Sequence, residues 1–274
     1  MRLDAYLAEY WPETSRATWQ KRVKAGHVLV NGEVEKSVKK VLAEDDEVTI
    51  KLPEAKTHSD ESLPVIYQDD NVIVINKPVG VLSHSKGAMN DEFTVADFFR
   101  RFTSWGLDSN RPGIVHRLDR DTSGVMIGAL NEDAAKLLQK QFSDRKVKKQ
   151  YVAVIDGRPD NEEAMIDMPI GRNPKKPSQF RVDANGKKAQ TLYKIMAPGN
   201  KYNLVSLEPL TGRTHQLRVH MAHIGTPIHG DRVYGKEADR LYLHAAALEI
   251  TIPGGIRKLF TAAVPPEFAA MEKK

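Results

Sequence analysis

The chain has 274 residues, 41% of them hydrophobic, enough for one large domain or for an ordinary domain plus a small module, with a sizeable buried core. With no cysteine, disulfide frameworks, thiolate zinc sites and cysteine nucleophiles are excluded together, and a reducing cytoplasm is the expected location. A net charge of +5 tilts weakly toward polyanionic partners, no long uncharged apolar run predicts a membrane span, and the charged start MRLDAYLAEYW predicts no export signal.

Leu3, Tyr6, Leu7 and Tyr10 recur at helical spacing until Pro12 interrupts them. Ser15 is placed to cap a second short helix that shows Trp19 and Val23 on one side and ends at Gly26. HVLVNGEVEK then reads as a hairpin around an Asn-Gly turn, and EVTIKL alternates as a strand should. Residues 1–52 are thus a small α/β unit. Arg16, Lys21, Arg22 and Lys24 fall on or beside its second helix, whereas Glu44, Asp45, Asp46 and Glu47 cluster far from it in sequence, so the basic helix is a candidate RNA-facing surface.

Residues 53–62, PEAKTHSDES, hold no apolar residue larger than alanine and predict an exposed linker, leaving 63–274 as a second domain. There VIYQDDNVIVINKP predicts two strands around an acidic turn. Asn131 can cap a helix whose first turn holds Glu132 and Asp133 and whose apolar stripe is Ala134, Leu137, Leu138 and Phe142. YVAVIDG, AQTLYKIM, NLVSLEPL, THQLRVHM and LEITI read as strands. The expected class is α+β, with a mixed, largely antiparallel central sheet flanked by helices and loops.

The densest chemistry lies in GIVHRLDRDTSGVMIGAL, where His116, Arg117, Asp119, Arg120, Asp121, Thr122 and Ser123 crowd between two apolar runs. A solvated Asp turn is the plainer alternative, and His116, Asp119 and Ser123 also open a hydrolase reading, although Ser123 lacks the G-x-S-x-G setting of a nucleophile elbow. If THQLRVHM is a strand, His215, Leu217 and Val219 face the core while Gln216, Arg218 and His220 face a polar cleft, which also disfavours a metal site made of His215, His220 and His223. Tyr151 follows Arg145, Lys146, Lys148 and Lys149. A ring behind a basic cluster suits stacking on a base while cations hold the backbone, but a core-packed strand tyrosine fits the same residues. Lys77-Pro78 either shapes a site or makes a turn; Gly212 and Gly230 read as turn formers, and Trp11, Trp19 and Trp105 as packing.

HRLDRDTSG resembles the signature of the RluA-type pseudouridine synthases, which convert uridine to pseudouridine in RNA. The likeness runs on through VINKPVGVLSHSKG, KKQYVAVIDG, DMPIGR, GKKAQTLY, LTGRTHQLRVHMAHIGTPIHGDRVYG and LHAAALEI, roughly from Pro64 to Phe268. The first fifty residues resemble the small RNA-binding domain named after ribosomal protein S four, through RLDAYL, SRATWQKRVKAGHVLVNG and EDDEV, with Asp-Asp where Gly-Asp is more usual. The resemblance implies that Asp119 is the catalytic carboxylate, Arg218 its charged partner, and Tyr151 the ring that stacks on the target uracil and helps handle a proton. It implies that Arg117 fills the place of a flipped base or holds its neighbours. His116, Thr122, Leu217, Arg213, Lys77, Lys148 and Lys149 complete the expected substrate-binding set, beside Arg16, Lys21, Arg22 and Lys24 of the basic helix. Uridine isomerisation transfers no electrons, so neither a cofactor nor a metal is expected. The expected partner is RNA, large-subunit ribosomal RNA before transfer RNA, bound by a monomer; a binding-only assembly factor that keeps the fold is the rival reading.

Overall fold

The computed structural model describes residues 1–12, 14–51, 58–85 and 92–271. The chain divides into two compact units, Met1–Ser59 with Ser85–Glu92, and Asp60–His84 with Phe93–Lys274. Much of the predicted linker, Pro53 to Thr57, lies outside the described residues.

The first unit runs α1 (Leu3–Tyr10), α2 (Arg16–Lys24), β1 (Val28–Val30), β2 (Glu33–Val34) and β3 (Val48–Ile50), with the strands in order β2-β1-β3. The capping expectation holds: the Ser15 side chain accepts from the Thr18 amide at 3.3 Å. Asn31 and Gly32 both have positive φ, 54° and 84°, as the two central residues of a tight hairpin require. The Asn31 side chain also receives the Glu47 amide and donates to Asp46 Oδ1 at 2.7 Å, so Asp46 ties the two turns together. Leu3, Leu7, Trp19, Val23, Val28, Val30 and Leu42 form the core. Asp4 is fully buried beside it, taking hydrogen bonds from Arg2, Arg16 and Gln20.

The second unit continues with β4 (Val65–Gln68), β5 (Val72–Lys77), α3 (Val95–Phe99), β6 (Ser123–Ala129), α4 (Glu132–Ser143), β7 (Lys148–Asp156) and β8 (Glu163–Asp167). After these come β9 (Ile170–Arg172), β10 (Phe180–Val182), β11 (Gln190–Ala197), β12 (Tyr202–Pro209), α5 (Gln216–His223), β13 (Leu243–Ile252), β14 (Ile256–Thr261) and α6 (Pro266–Ala270). A nine-stranded sheet runs β4-β5-β6-β13-β7-β12-β11-β8, with β14 added on β13, while β9 and β10 form a separate hairpin. Only the β6/β13 pair is parallel, so the sheet is mixed and largely antiparallel.

Both faces of the sheet are covered, and the period of two shows how. Val72, Val74, Val125 and Ile127 pack with Ala134, Ala135 and Leu138 of α4, whereas Ile73, Ile75 and Met126 pack on the other face with Phe98 and Phe99. The cap of α4 is as expected, Asn131 accepting from the Ala134 amide at 2.9 Å. A third cluster joins β7, β11, β12 and β13 to Leu217 and Met221 of α5.

One expectation fails: most of THQLRVHM is the helix α5, not a strand. The alternation in polarity does not mark two faces here, because every residue from Gln216 to Met221 is buried and the polar ones have internal partners. Gln216 Oε1 accepts from the Arg213 amide and the Thr211 hydroxyl, and its Nε2 donates to the Gln190 carbonyl. His220 bridges Thr191 and the Met168 carbonyl, each at 2.9 Å. A helix buried all round has no amphipathic stripe to read.

Candidate active site

The loop between Gly113 and Thr122 is fixed from several sides before it presents Asp119. At its middle, Ser83 Oγ donates to the Leu118 carbonyl and accepts from the Leu118 amide, doing for the loop what a neighbouring strand would do. His116 stacks on Phe142 with centroids 4.5 Å apart, and its Nε2 accepts from the Ile127 amide. Burial pushes its imidazole down to about 3, which keeps it neutral and able to accept. Beneath the loop, fully buried Lys77 donates to the carbonyls of Pro78, Val81 and Arg120. Burial lowers its ammonium to about 7 against the pull of Asp121 and Asp119. The loop ends at Gly124, φ 116°, where strand β6 joins β13 so closely that any Cβ would run into the Ala245 backbone.

Asp119 itself is 22% exposed, and Arg218 Nη1 and His215 Nε2 approach the same oxygen, Oδ2, at 3.6 and 3.8 Å. Arg218 is aimed by a second carboxylate: Nε and Nη2 both reach Asp231 at 2.7 Å, a bidentate pair. Burial alone would push the Asp231 carboxyl up, but Arg218 and the amides of Val233 and Tyr234 hold it below the usual value. For Arg218, too, burial acts against the charge and Asp231 more than restores it. The guanidinium also lies over the Tyr234 ring, 5.2 Å from its centre. Arg218 is therefore a fixed cation whose free edge points at Asp119.

These groups border a cavity of about 530 Å³, in the range of small-molecule sites. His116, Arg117, Asp119 and Thr122 line it from the loop, Lys149 and Tyr151 from β7, and Arg213, His215, Leu217 and Arg218 from the α5 region. Burial, followed by the negative charge of Asp119, raises the Tyr151 phenol above its usual range, so it stays protonated. Burial lowers the Lys149 ammonium to about 8, and its Nζ donates to the Thr211 carbonyl at 3.4 Å.

Nine residues expected from the sequence thus meet at one cavity: Asp119, Tyr151, Arg218, Arg117, His116, Thr122, Leu217, Arg213 and Lys149. Others do not. Lys77 supports the loop from below, because its three protons are all taken by backbone carbonyls. Lys148 is exposed, one residue out of phase with Lys149 along β7, and pairs with Glu249 at 3.6 Å. In the first unit, Arg16 is engaged with Asp4 at 3.0 Å and Arg22 packs over Trp19, leaving Lys21 and Lys24 as exposed cations of α2. His215, expected in the core, borders the cavity, and Asp231 and Tyr234 of GDRVYG join the site without a sequence signal that marks them. Ser123 is buried between His244 Nδ1 at 2.9 Å and Arg240 Nη2 at 2.8 Å and does not line the cavity, which removes the hydrolase constellation. Among the described residues no group of three or more His, Asp or Glu could hold a metal ion, and no helix is long and apolar enough to cross a membrane.

The family model for RNA pseudouridylate synthase matches residues 71–223, and that for the S4 domain matches residues 1–48. The chain is 36% identical to the ribosomal large subunit pseudouridine synthase D of Borreliella burgdorferi, over 98% of this chain and 87% of that protein. It is 35% identical to the protein of the same name from Escherichia coli strain K12, over 98% and 89%. Among solved structures it is similar to human RNA pseudouridylate synthase domain containing 1, with TM-score 0.64, 28% identity, and coverage of 78% of this chain and 89% of that one. A sheet covered on both faces, an aspartate loop opening on a cavity, and these matches lead to one assignment: the chain belongs to the RluA-type RNA pseudouridylate synthases and carries an N-terminal S4 domain.

Proposed function

We propose that this enzyme isomerises uridines of large-subunit ribosomal RNA, with Asp119 as the catalytic carboxylate. The observation that carries the reading is a carboxylate whose Oδ2 is faced by the fixed cation of Arg218, at a cavity walled by Tyr151. The reaction must break the bond from uracil N1 to the anomeric carbon, turn the base, and join C5 to that carbon; N1 then gains a proton and C5 loses one. A carboxylate at the anomeric carbon or the base, faced by an arginine, suits the first step. The Tyr151 ring offers a stacking surface for the base and a protonated phenol for the proton exchange. Arg117, exposed at the rim, fits the gap left in the RNA stack, and Lys149 and Arg213 suit the flanking phosphates. Residues 1–52, with Lys21 and Lys24 outward, serve as the RNA-holding module for a catalytic domain of residues 63–274. The names of the relatives support ribosomal RNA as substrate, and on this reading the protein works as a cytoplasmic monomer.

Asp119→Asn tests the chemistry. The variant is expected to bind RNA as before and to form pseudouridine slower by at least roughly 10²- to 10⁴-fold; an unchanged rate overturns the assignment. Mapping pseudouridines in total RNA from cells with and without the gene tests the substrate: sites lost from large-subunit ribosomal RNA support it, and sites lost only from transfer RNA overturn it.

A further inference from the structure

His215 stands at the start of α5 with φ 56°, a left-handed conformation that turns its side chain back toward the loop. Its Nε2 lies 3.8 Å from Asp119 Oδ2 and its Nδ1 lies 2.8 Å from the Tyr234 hydroxyl. That hydroxyl accepts the Phe180 amide of β10 at 2.9 Å, and it has one proton to place. Donating it to His215 Nδ1 uses the nearest acceptor among the described residues. The opposite tautomer would leave the phenol proton without that acceptor and aim the Nε2 lone pair at a carboxylate. Both ends of the ring therefore favour the proton on Nε2.

The imidazole is surrounded by Asp119 and Arg117 from the loop, Arg218 from α5, and Asp231 and Tyr234 from the turn after it. Burial is the largest influence and lowers its pKa, with Asp119 opposing and Arg218 assisting, so the ring is neutral at neutral pH. The shortest approach of Arg218 and of His215 is in each case to Oδ2, and among the described residues no hydrogen bond is made to Oδ1. We infer that His215 is a positioning residue: with its tautomer fixed by the Tyr234 hydroxyl and the Phe180 amide, it directs Nε2–H at Asp119 Oδ2 and leaves Oδ1 as the oxygen that meets the substrate. The gap of 3.8 Å closes to a hydrogen bond as substrate fills the cavity. The inference rests on Asp119 being the reacting group.

Nitrogen NMR of histidine-labelled wild-type enzyme reads the tautomer directly. A neutral His215 with its proton on Nε2 is expected; a proton on Nδ1, or an imidazolium at neutral pH, overturns the inference. His215→Leu should lower kcat by roughly 10- to 100-fold with little change in KM for RNA. His215→Gln bears the same left-handed backbone but keeps an N–H donor, and should recover part of that loss; if Gln is as poor as Leu, donation is not the role. Tyr234→Phe removes only the hydroxyl, which stabilises the neutral ring, so the His215 pKa rises and kcat gains a pH dependence in the imidazole range near about 6.5. An unaltered pH profile argues against the relay. If Asp119→Asn is inactive while His215→Leu keeps full kcat, this inference alone fails; if Asp119→Asn stays active, the reading beneath it fails.

Discussion

Asp4 in the first unit and Asp119 in the second are both carboxylates beside arginine, and what differs is the capacity left over. Asp4 is fully buried, and both of its oxygens receive donors: Arg2 on each, Arg16 and Gln20 on Oδ2. Its carboxyl is held far below the usual range, chiefly by the Arg16 hydrogen bond acting against burial. Asp119 is approached most closely at Oδ2, by groups at 3.6 and 3.8 Å, longer than a hydrogen bond, and it opens on a cavity. A carboxylate with hydrogen bonds on both oxygens is a structural tie. One with charge nearby but no hydrogen bond to its carboxylate among the described residues is equipped to react, and the short bonds of Arg218 go one step back, to Asp231.

That contrast can be broken at its strongest point by Asp231→Ala, which strands the buried Arg218 charge. Loss of about 3–5 kcal/mol from the second unit is expected in denaturant unfolding, along with loss of pseudouridine formation. Lys77→Met, which leaves three loop carbonyls without their donor, should cost about 2–3 kcal/mol and lower kcat more than RNA affinity, as assayed by separate binding and turnover measurements. Asp4→Ala should cost the first unit about 1–2 kcal/mol, seen as faster hydrogen exchange in α1 and α2, with turnover on saturating RNA nearly unchanged. Because the folded Asp4 pKa is depressed, this stabilisation is present above the unfolded value of about 4 and is lost as pH falls toward the depressed one, so the variant should show a flatter acid limb. The smallest contrast sets two neighbouring lysines apart. Lys148→Ala should change stability by less than about 0.5 kcal/mol and leave RNA binding intact, whereas Lys149→Ala should weaken binding and reduce its salt slope by about 1.

The fold was legible where local rules act alone. The Ser15 and Asn131 caps, the Asn31-Gly32 turn and the strands β4 and β5, two apolar runs around an acidic turn, each follow from side chains within a few residues. Failure came where tertiary burial overrides periodicity. In α5 the polar residues Gln216, Arg218 and His220 are satisfied inside the protein, so a strand-like alternation hid a helix, and the reading placed His215 in the core as a direct result. Lys77 differs for a related reason: Lys77-Pro78 reads as part of a site or as a turn, with Lys77 in the substrate-binding set, and nothing in the sequence marks the carbonyls of Pro78, Val81 and Arg120 converging on its ammonium. Asp231 and Tyr234 are visible in GDRVYG, but their partners lie 13 and 19 residues earlier in sequence, beyond the reach of spacing rules.

The Asp119 loop is clamped on both sides, at Leu118 by the two-way Ser83 bond and at Gly124 by close backbone contact with Ala245. Between those clamps the chain has no slack. Side chains there can be exchanged at the cost of their own contacts, but one inserted residue has nowhere to bulge and would carry the carboxylate away from Arg218. In this segment the geometry constrains length more tightly than side-chain identity.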